Sequence, residues 1–160
     1  MSEITVIIPT YWTWPASESA RPEIAAYDHP TPLDGDSTLP RLLDDLAEQH
    51  FKGFKVLVLT GLSHPELSPF AAEHMSELLA PYRSRLSLIT CDGPAWNSLK
   101  TILDYEGLPT NGLHLGSYGG IRNLQLLIPH ILGARIIIAL DDDERVEADY
   151  LERALTHIGK

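Results

Sequence analysis

Four consecutive carboxylates, Asp141-Asp142-Asp143-Glu144, directly follow the apolar run Ile136 to Leu140. Their mutual repulsion is unfavourable unless water or a cation screens it. Carboxylate oxygens suit hard cations, and Mg²⁺ in particular is usually held by one or two carboxylates together with substrate phosphates. The plainer alternative is a solvated acidic turn capping the last helix. Position at the end of a strand favours the cation. A second feature is Gly116-Ser117-Tyr118-Gly119-Gly120-Ile121-Arg122-Asn123, a glycine-rich turn opening a helix. Backbone N–H groups at a helix start bind phosphate, and glycine lets the phosphate come close. Arg122 in a first helical turn opposes the helix dipole, which suits an anion bound there; an ion pair to Asp142 or Glu144 is the alternative. The loop is neither a Walker motif nor G-x-G-x-x-G, so ATPase and dinucleotide-binding readings lose their main support.

Weaker signals surround these two. Tyr11, Trp12 and Trp14 stand where rings could stack on a base, although such rings more often cover cores and loops. The seven histidines, His157 included, lack metal-ligand spacing. Asp34-Gly35-Asp36-Ser37 lacks the downstream glutamate of an EF-hand and reads as a turn and helix cap. No G-x-S-x-G frames Ser63 or Ser117, so serine hydrolase chemistry has no foothold.

The elements that must position these residues follow from apolar pattern. Runs at Ile4 to Pro9, Lys55 to Thr60, Leu86 to Cys91 and Arg135 to Leu140 are nearly solid with Val, Ile or Leu, as strands covered on both faces should be. Helical-period stretches alternate with them. Leu39, Leu42, Leu43 and Leu46 form one stripe behind Ser37 and Thr38 as caps. Leu67, Phe70, Ala71, Leu78 and Leu79 form another, behind a capping box at Ser63-His64-Pro65-Glu66. Trp96 to Tyr105 is predicted to bury Leu99, Ile102 and Leu103. Gly120 to Leu132 carries Ile121, Leu124, Leu127, Ile128 and Ile131, with a kink at Pro129 and a left-handed cap at Gly133. Val146, Tyr150, Leu151, Ala154 and Leu155 mark a last helix. The alternation predicts an α/β fold, a Rossmann-like, mostly parallel sheet flanked by helices, in one domain over residues 1–160. Ligands of such sheets bind beyond the carboxyl ends of the strands, which here are Thr10-Tyr11-Trp12, Thr60-Gly61, Asp92-Gly93 and the acidic run. Trp12 to Asp36, irregular and long, is expected to be functional or mobile.

Composition narrows the partners. Of 160 residues, 12 are Lys or Arg and 22 Asp or Glu, a net charge of −10 without a basic cluster, which disfavours nucleic acid and anionic membranes. Hydrophobic content of 44% and charged content of 21% suit a folded globular domain. Cys91 is the only cysteine, so neither an intrachain disulfide nor a cysteine-built zinc site is available, and a cytoplasmic setting is expected. Met1-Ser2-Glu3 leads straight into the first strand without a basic signal region, and no apolar run reaches the roughly 18 residues of a membrane span.

Taken in order, Ile4-Thr5-Val6-Ile7-Ile8-Pro9-Thr10-Tyr11, the leucine-rich helix, the second strand, Gly120-Ile121-Arg122-Asn123-Leu124 and Ile138-Ala139-Leu140-Asp141-Asp142-Asp143 resemble the family 2 glycosyltransferases of GT-A fold. The resemblance covers almost the whole chain. It implies a metal-dependent, inverting transferase that takes a nucleoside-diphosphate sugar and passes the sugar to an unknown acceptor. Pro9, Thr10 and Tyr11 would hold the nucleoside, Arg122 and Asn123 would line the donor site, and Asp92, Asp141 and Asp142 would join them. Asp141 would lie near the ribose, and Asp141 and Asp143 would ligate Mn²⁺ or Mg²⁺. Where the family usually carries an Asp-Asp-Gly-Ser turn, this chain has Leu59-Thr60-Gly61-Leu62-Ser63. The chain stops soon after Asp143, so a donor half alone is expected, with an incomplete sheet, a catalytic base beyond residue 160 and a tendency to form homo-oligomers. A non-catalytic nucleotide-sugar-binding or assembly module is the alternative. A nucleotidyltransferase is the third reading, poorly matched by Pro9-Thr10-Tyr11-Trp12.

Overall fold

The computed structural model describes residues 3–25, 27–156 and 158, so Met1, Ser2 and His157 lie outside the described residues. Five parallel strands form one sheet: β1 (Ile4–Thr13), β2 (Thr31–Pro32), β3 (Phe54–Leu62), β4 (Leu88–Cys91) and β5 (Ile136–Ala139). β1 is central. β3 and then β4 lie on one side of it, whereas β5 pairs with its first half and β2 with its last two residues on the other. Strand order therefore reverses between β1 and β5, and such a switch point, beyond the carboxyl ends of the strands, is where open sheets of this kind bind their ligands.

Alternation along β1 builds two cores. Val6, Ile8 and Trp12 face one layer with Leu39, Leu42, Leu43 and Leu46 of α1 (Leu39–Ala47), Ala71, Met75 and Leu79 of α2 (Ser68–Leu79), and Leu151 of α5 (Tyr150–Leu155). Ile7 faces the other, with Trp96 and Leu103 of α3 (Gly93–Tyr105) and Ile121, Leu124 and Ile128 of α4 (Tyr118–Ile131). The result is the expected α/β architecture, a parallel sheet with helices on both faces.

Several sequence expectations change. β1 runs four residues past Pro9, because Tyr11 and Trp12 keep pairing with Gly61 and Leu62, and Trp12 and Thr13 with β2. Trp12 to Asp36 is thus partly strand. Ser63 is no helix cap: it is fully buried, donating its N–H to the Trp12 carbonyl at 2.9 Å and its hydroxyl to Thr13 Oγ1 at 2.9 Å. His64 takes the capping role, its Nδ1 accepting the Glu66 N–H. Phe70 and Ile102, expected inside, are 61% and 59% exposed, since Met75 and Trp96 turn the buried faces of α2 and α3 away from them. Ser37 Oγ accepts from the Leu39 N–H at 3.2 Å, while the Thr38 side chain caps nothing. α4 continues through Pro129 and ends at Gly133, whose φ of +81° carries the expected left-handed cap. Among the described residues, no helix is long and apolar enough to cross a membrane.

Candidate functional site at the strand-order switch

The crevice is built from α4 on one wall and the turn after β5 on the other. Leu140 still donates its N–H to the Ile7 carbonyl, at 3.1 Å, so the chain leaves β1 only at Asp141. There it turns: Glu144 donates its N–H to the Asp141 carbonyl at 3.1 Å, and Glu144 Oε2 accepts the Asp141 N–H at 3.0 Å. The turn is strapped to α1. Asp45 takes Arg145 in a two-pronged pair, at 2.6 and 2.9 Å, and accepts the Val146 N–H at 3.1 Å. Buried Gln49 donates to the Glu147 carbonyl and accepts the Leu151 N–H. The Arg145 guanidinium holds the Asp45 carboxyl below its usual range.

On the facing wall, the Ser117 hydroxyl accepts the Gly120 N–H and starts α4 two residues earlier than the pattern predicts. Arg122 accordingly lies in the second turn. Its guanidinium donates to the Tyr118 hydroxyl and to Gln125 Oε1, the latter at 3.2 Å, and stands 4.8 Å over the Tyr118 ring. It also reaches Asp141, Nη2 to Oδ1 at 3.7 Å, so of the acidic residues Asp141, rather than Asp142 or Glu144, is its partner. The floor is aromatic. Tyr11 stacks 6.1 Å from Tyr118 and packs 4.6 Å from Tyr27. Burial pushes the Tyr11 phenol up to about 12, with Arg122 opposing the shift, and its hydroxyl is buried without a hydrogen-bond partner among the described residues. Gln125 Nε2 is likewise buried and unpaired. Asp142, half-buried, is pushed up to about 6, first by burial and then by Asp143 and Asp141.

Other expected site residues are used differently. Pro9 is buried in the body of β1, paired with Leu59. Thr10 is fully buried; its hydroxyl donates to the Leu59 carbonyl at 3.0 Å and accepts the Trp12 indole N–H at 2.9 Å, so it holds the core rather than a ligand. Trp12 and Trp14 are themselves core residues and offer no ring to a base. Asp92 caps α3, accepting the Ala95 N–H at 2.9 Å, two strands away from β1. Asn123 donates to the Gly112 carbonyl at 3.0 Å. The crevice thus gathers Tyr11, Arg122, Asp141 and Asp142 from the expected set and adds Tyr118, Gln125 and Tyr27. The (i, i+4) spacing of Tyr118 and Arg122 was a visible signal for the first of these.

The carboxyl ends of β1 and β3 are covered. The Tyr27 hydroxyl donates to the Leu115 carbonyl, and Leu115 in turn accepts the Leu62 N–H at 3.3 Å. α4 sits close on β3, where a Cβ on Gly61 would come within 2.5 Å of Ile121 Cδ1. The open part of the crevice is consequently the side facing Arg122 and the acidic turn.

No protein-family model matches the chain, and no curated protein matches it. Among solved structures, the crystal structure of S. aureus TarS aligns with 95% of this chain at 20% identity, with a TM-score of 0.43. The chain spans 18% of the length of that protein.

Asp141 and Asp143 offer hard oxygen donors, but among the described residues no group of three or more His, Cys, Asp or Glu side chains is arranged to hold a metal ion. Such a pair fits a divalent cation that fills its remaining positions with phosphate oxygens and water. Asp142 is raised first by burial and then by Asp143 and Asp141, and a cation there would offset only the contribution of its two neighbours.

Proposed function

We propose that the chain is the donor-binding part of a glycosyltransferase of GT-A type, taking a nucleoside-diphosphate sugar at the β1–β5 crevice. The observation that carries the reading is the meeting of Arg122 and Asp141 across the strand-order switch, beside a buried tyrosine hydroxyl that lacks a partner among the described residues. The diphosphate would displace Asp141 from Arg122, exchanging a half-exposed pair at 3.7 Å for charge-assisted hydrogen bonds to phosphate. Tyr118 and Gln125 position the guanidinium for that exchange through the bonds they already make to it. The Tyr11 and Tyr118 rings form a wall for the less polar part of the donor. Asp141 and Asp143 would hold Mn²⁺ or Mg²⁺, which when bound stabilises charge on a departing nucleoside diphosphate.

Calorimetric titration of UDP, GDP and dTDP, with and without Mn²⁺, tests the reading on the wild type and on Asp143→Ala. Metal-dependent binding of one nucleotide, abolished by the substitution, is the expected result. Absence of binding by a folded protein overturns it. A second reading, a module that kept the fold for assembly, is favoured by Tyr27 and Leu115 lying over the ends of β1 and β3. Undiminished nucleotide binding in the absence of the metal would speak against both.

A further inference from the structure

A cavity of about 450 Å³ opens on the opposite face of the sheet, between α2 and the segment that follows β1. Trp14 lies in its wall, buried in the core and donating its indole N–H to the Pro22 carbonyl at 3.1 Å. The Arg21 guanidinium stands 3.6 Å from the Trp14 ring centroid and pairs with Glu18 and Glu66, each at 2.9 Å. A cation on an aromatic face between carboxylates is therefore already part of this wall.

α2 supplies the opposite wall. Phe70 is exposed there beside Leu67, and Glu73 and Glu77, one turn apart, have no ion-pair partner among the described residues. Like charges at that spacing repel each other. His74 lies between them in sequence, its ring packed edge-on to Trp12 at 4.8 Å. The lining carboxylates are Glu18, Asp34, Glu73 and Glu77, and Arg21 is already taken by Glu18 and Glu66. Asp34 accepts the Ala16 N–H and pairs with no cation among the described residues. Uncompensated negative charge thus borders an apolar surface.

We propose that this cavity is a ligand site for a small organic ammonium ion with an apolar body. The ammonium N–H groups are suited to the exposed carboxylates of Glu73 and Glu77, and the apolar body to the exposed ring of Phe70. The volume lies within the range of small-molecule sites. An anion would be repelled, and a neutral polyol would leave the charge uncompensated. The site lies across the sheet from Arg122 and stands independently of the nucleotide reading.

The test is an NMR titration of the ¹⁵N-labelled protein with phenethylammonium, 2-phenylethanol and 3-phenylpropionate, three probes of similar shape and different charge. Saturable shifts at the Trp14 indole and the Phe70 to Glu77 amides with the ammonium alone are expected. The Glu73→Gln/Glu77→Gln variant, altered only at exposed positions, should bind it about tenfold more weakly with an unchanged circular dichroism spectrum. Phe70→Ala should weaken it as well. Equal affinity for the alcohol, unchanged affinity in the double glutamine variant, or no saturable shift would overturn the proposal. Tighter binding of a Gly-Lys-Gly peptide at the same residues would overturn the small-molecule assignment.

Discussion

Asp142 is the residue whose titration carries most consequence. Its carboxyl is pushed up to about 6 from an ordinary 3.8, first by burial and then by its two aspartate neighbours. The folded protein therefore binds that proton more tightly than the unfolded chain does. As pH rises from about 4 through 6, the folded state must ionise a half-buried group that the unfolded chain ionises freely, so stability falls over that window. Part of the effect is screened by solvent, which leaves about 1–2 kcal/mol. Asp142→Asn is expected to raise the unfolding free energy by that amount at pH 7.5 and to leave it unchanged at pH 3.5, as read from urea denaturation without divalent cations. Equal effects at both pH values would show that Asp142 is solvated. The acidic run itself was legible as four consecutive carboxylates, but which of them is buried was not. That depends on where the chain leaves β1, and Asp142 is half-buried while Asp141 turns towards Arg122.

At the scale of elements, the acidic turn keeps its place through α1. Asp45 binds both prongs of Arg145 and the Val146 N–H, and no local pattern marks a contact a hundred residues apart. Asp45→Ala is expected to cost about 1–2 kcal/mol in thermal unfolding at neutral pH, since it leaves a backbone N–H and a guanidinium without their acceptor. Because Arg145 holds the Asp45 carboxyl below its usual range, this contribution is intact at neutral pH and is lost as pH falls through that lowered value. The same substitution should speed amide exchange at residues 141–147, and unaltered exchange there would mean that Gln49 suffices. Close approach of α4 to the sheet has a similar origin. A Cβ on Gly120 would meet the His114 carbonyl oxygen at 2.2 Å, whereas one on Gly61 would meet chiefly the end of the Ile121 side chain. Gly120→Ala should therefore destabilise more than Gly61→Ala, by about 1–3 kcal/mol for the first, in the same denaturation assay. Strand cores were legible because apolar runs buried on both faces need no partner to be recognised. Their ends were not, since Tyr11 and Trp12 stay in β1 only by pairing with Gly61, Leu62 and β2. Tyr27 and Leu115 were missed for the same reason: each acts through contacts made far away in sequence.

For the whole molecule, the decisive feature is that two cores share one sheet. Ile8 and Ile121 are each fully buried, Ile8 in the layer of α1 and α2 and Ile121 in the layer of α3 and α4. β1 contributes to both layers residue by residue, so neither can be lost while the other keeps its strand. Ile8→Val and Ile121→Val should each cost about 0.5–1.5 kcal/mol through a lost methylene and the small void it leaves. With the sheet between them they should add to within about 0.5 kcal/mol. Tryptophans report on each side separately, Trp12 and Trp14 in the first core and Trp96 in the second. Within each single-tryptophan variant, tryptophan fluorescence and far-ultraviolet circular dichroism should give one common urea midpoint, and adding Ile8→Val or Ile121→Val should move both probes together. Separate midpoints would mean that the helical layers unfold independently, and the crevice between α4 and the α1-strapped turn would then open whenever either layer loosens. A shared midpoint fixes Arg122 and Asp141 in one cooperative unit, which is what a site assembled from both layers requires.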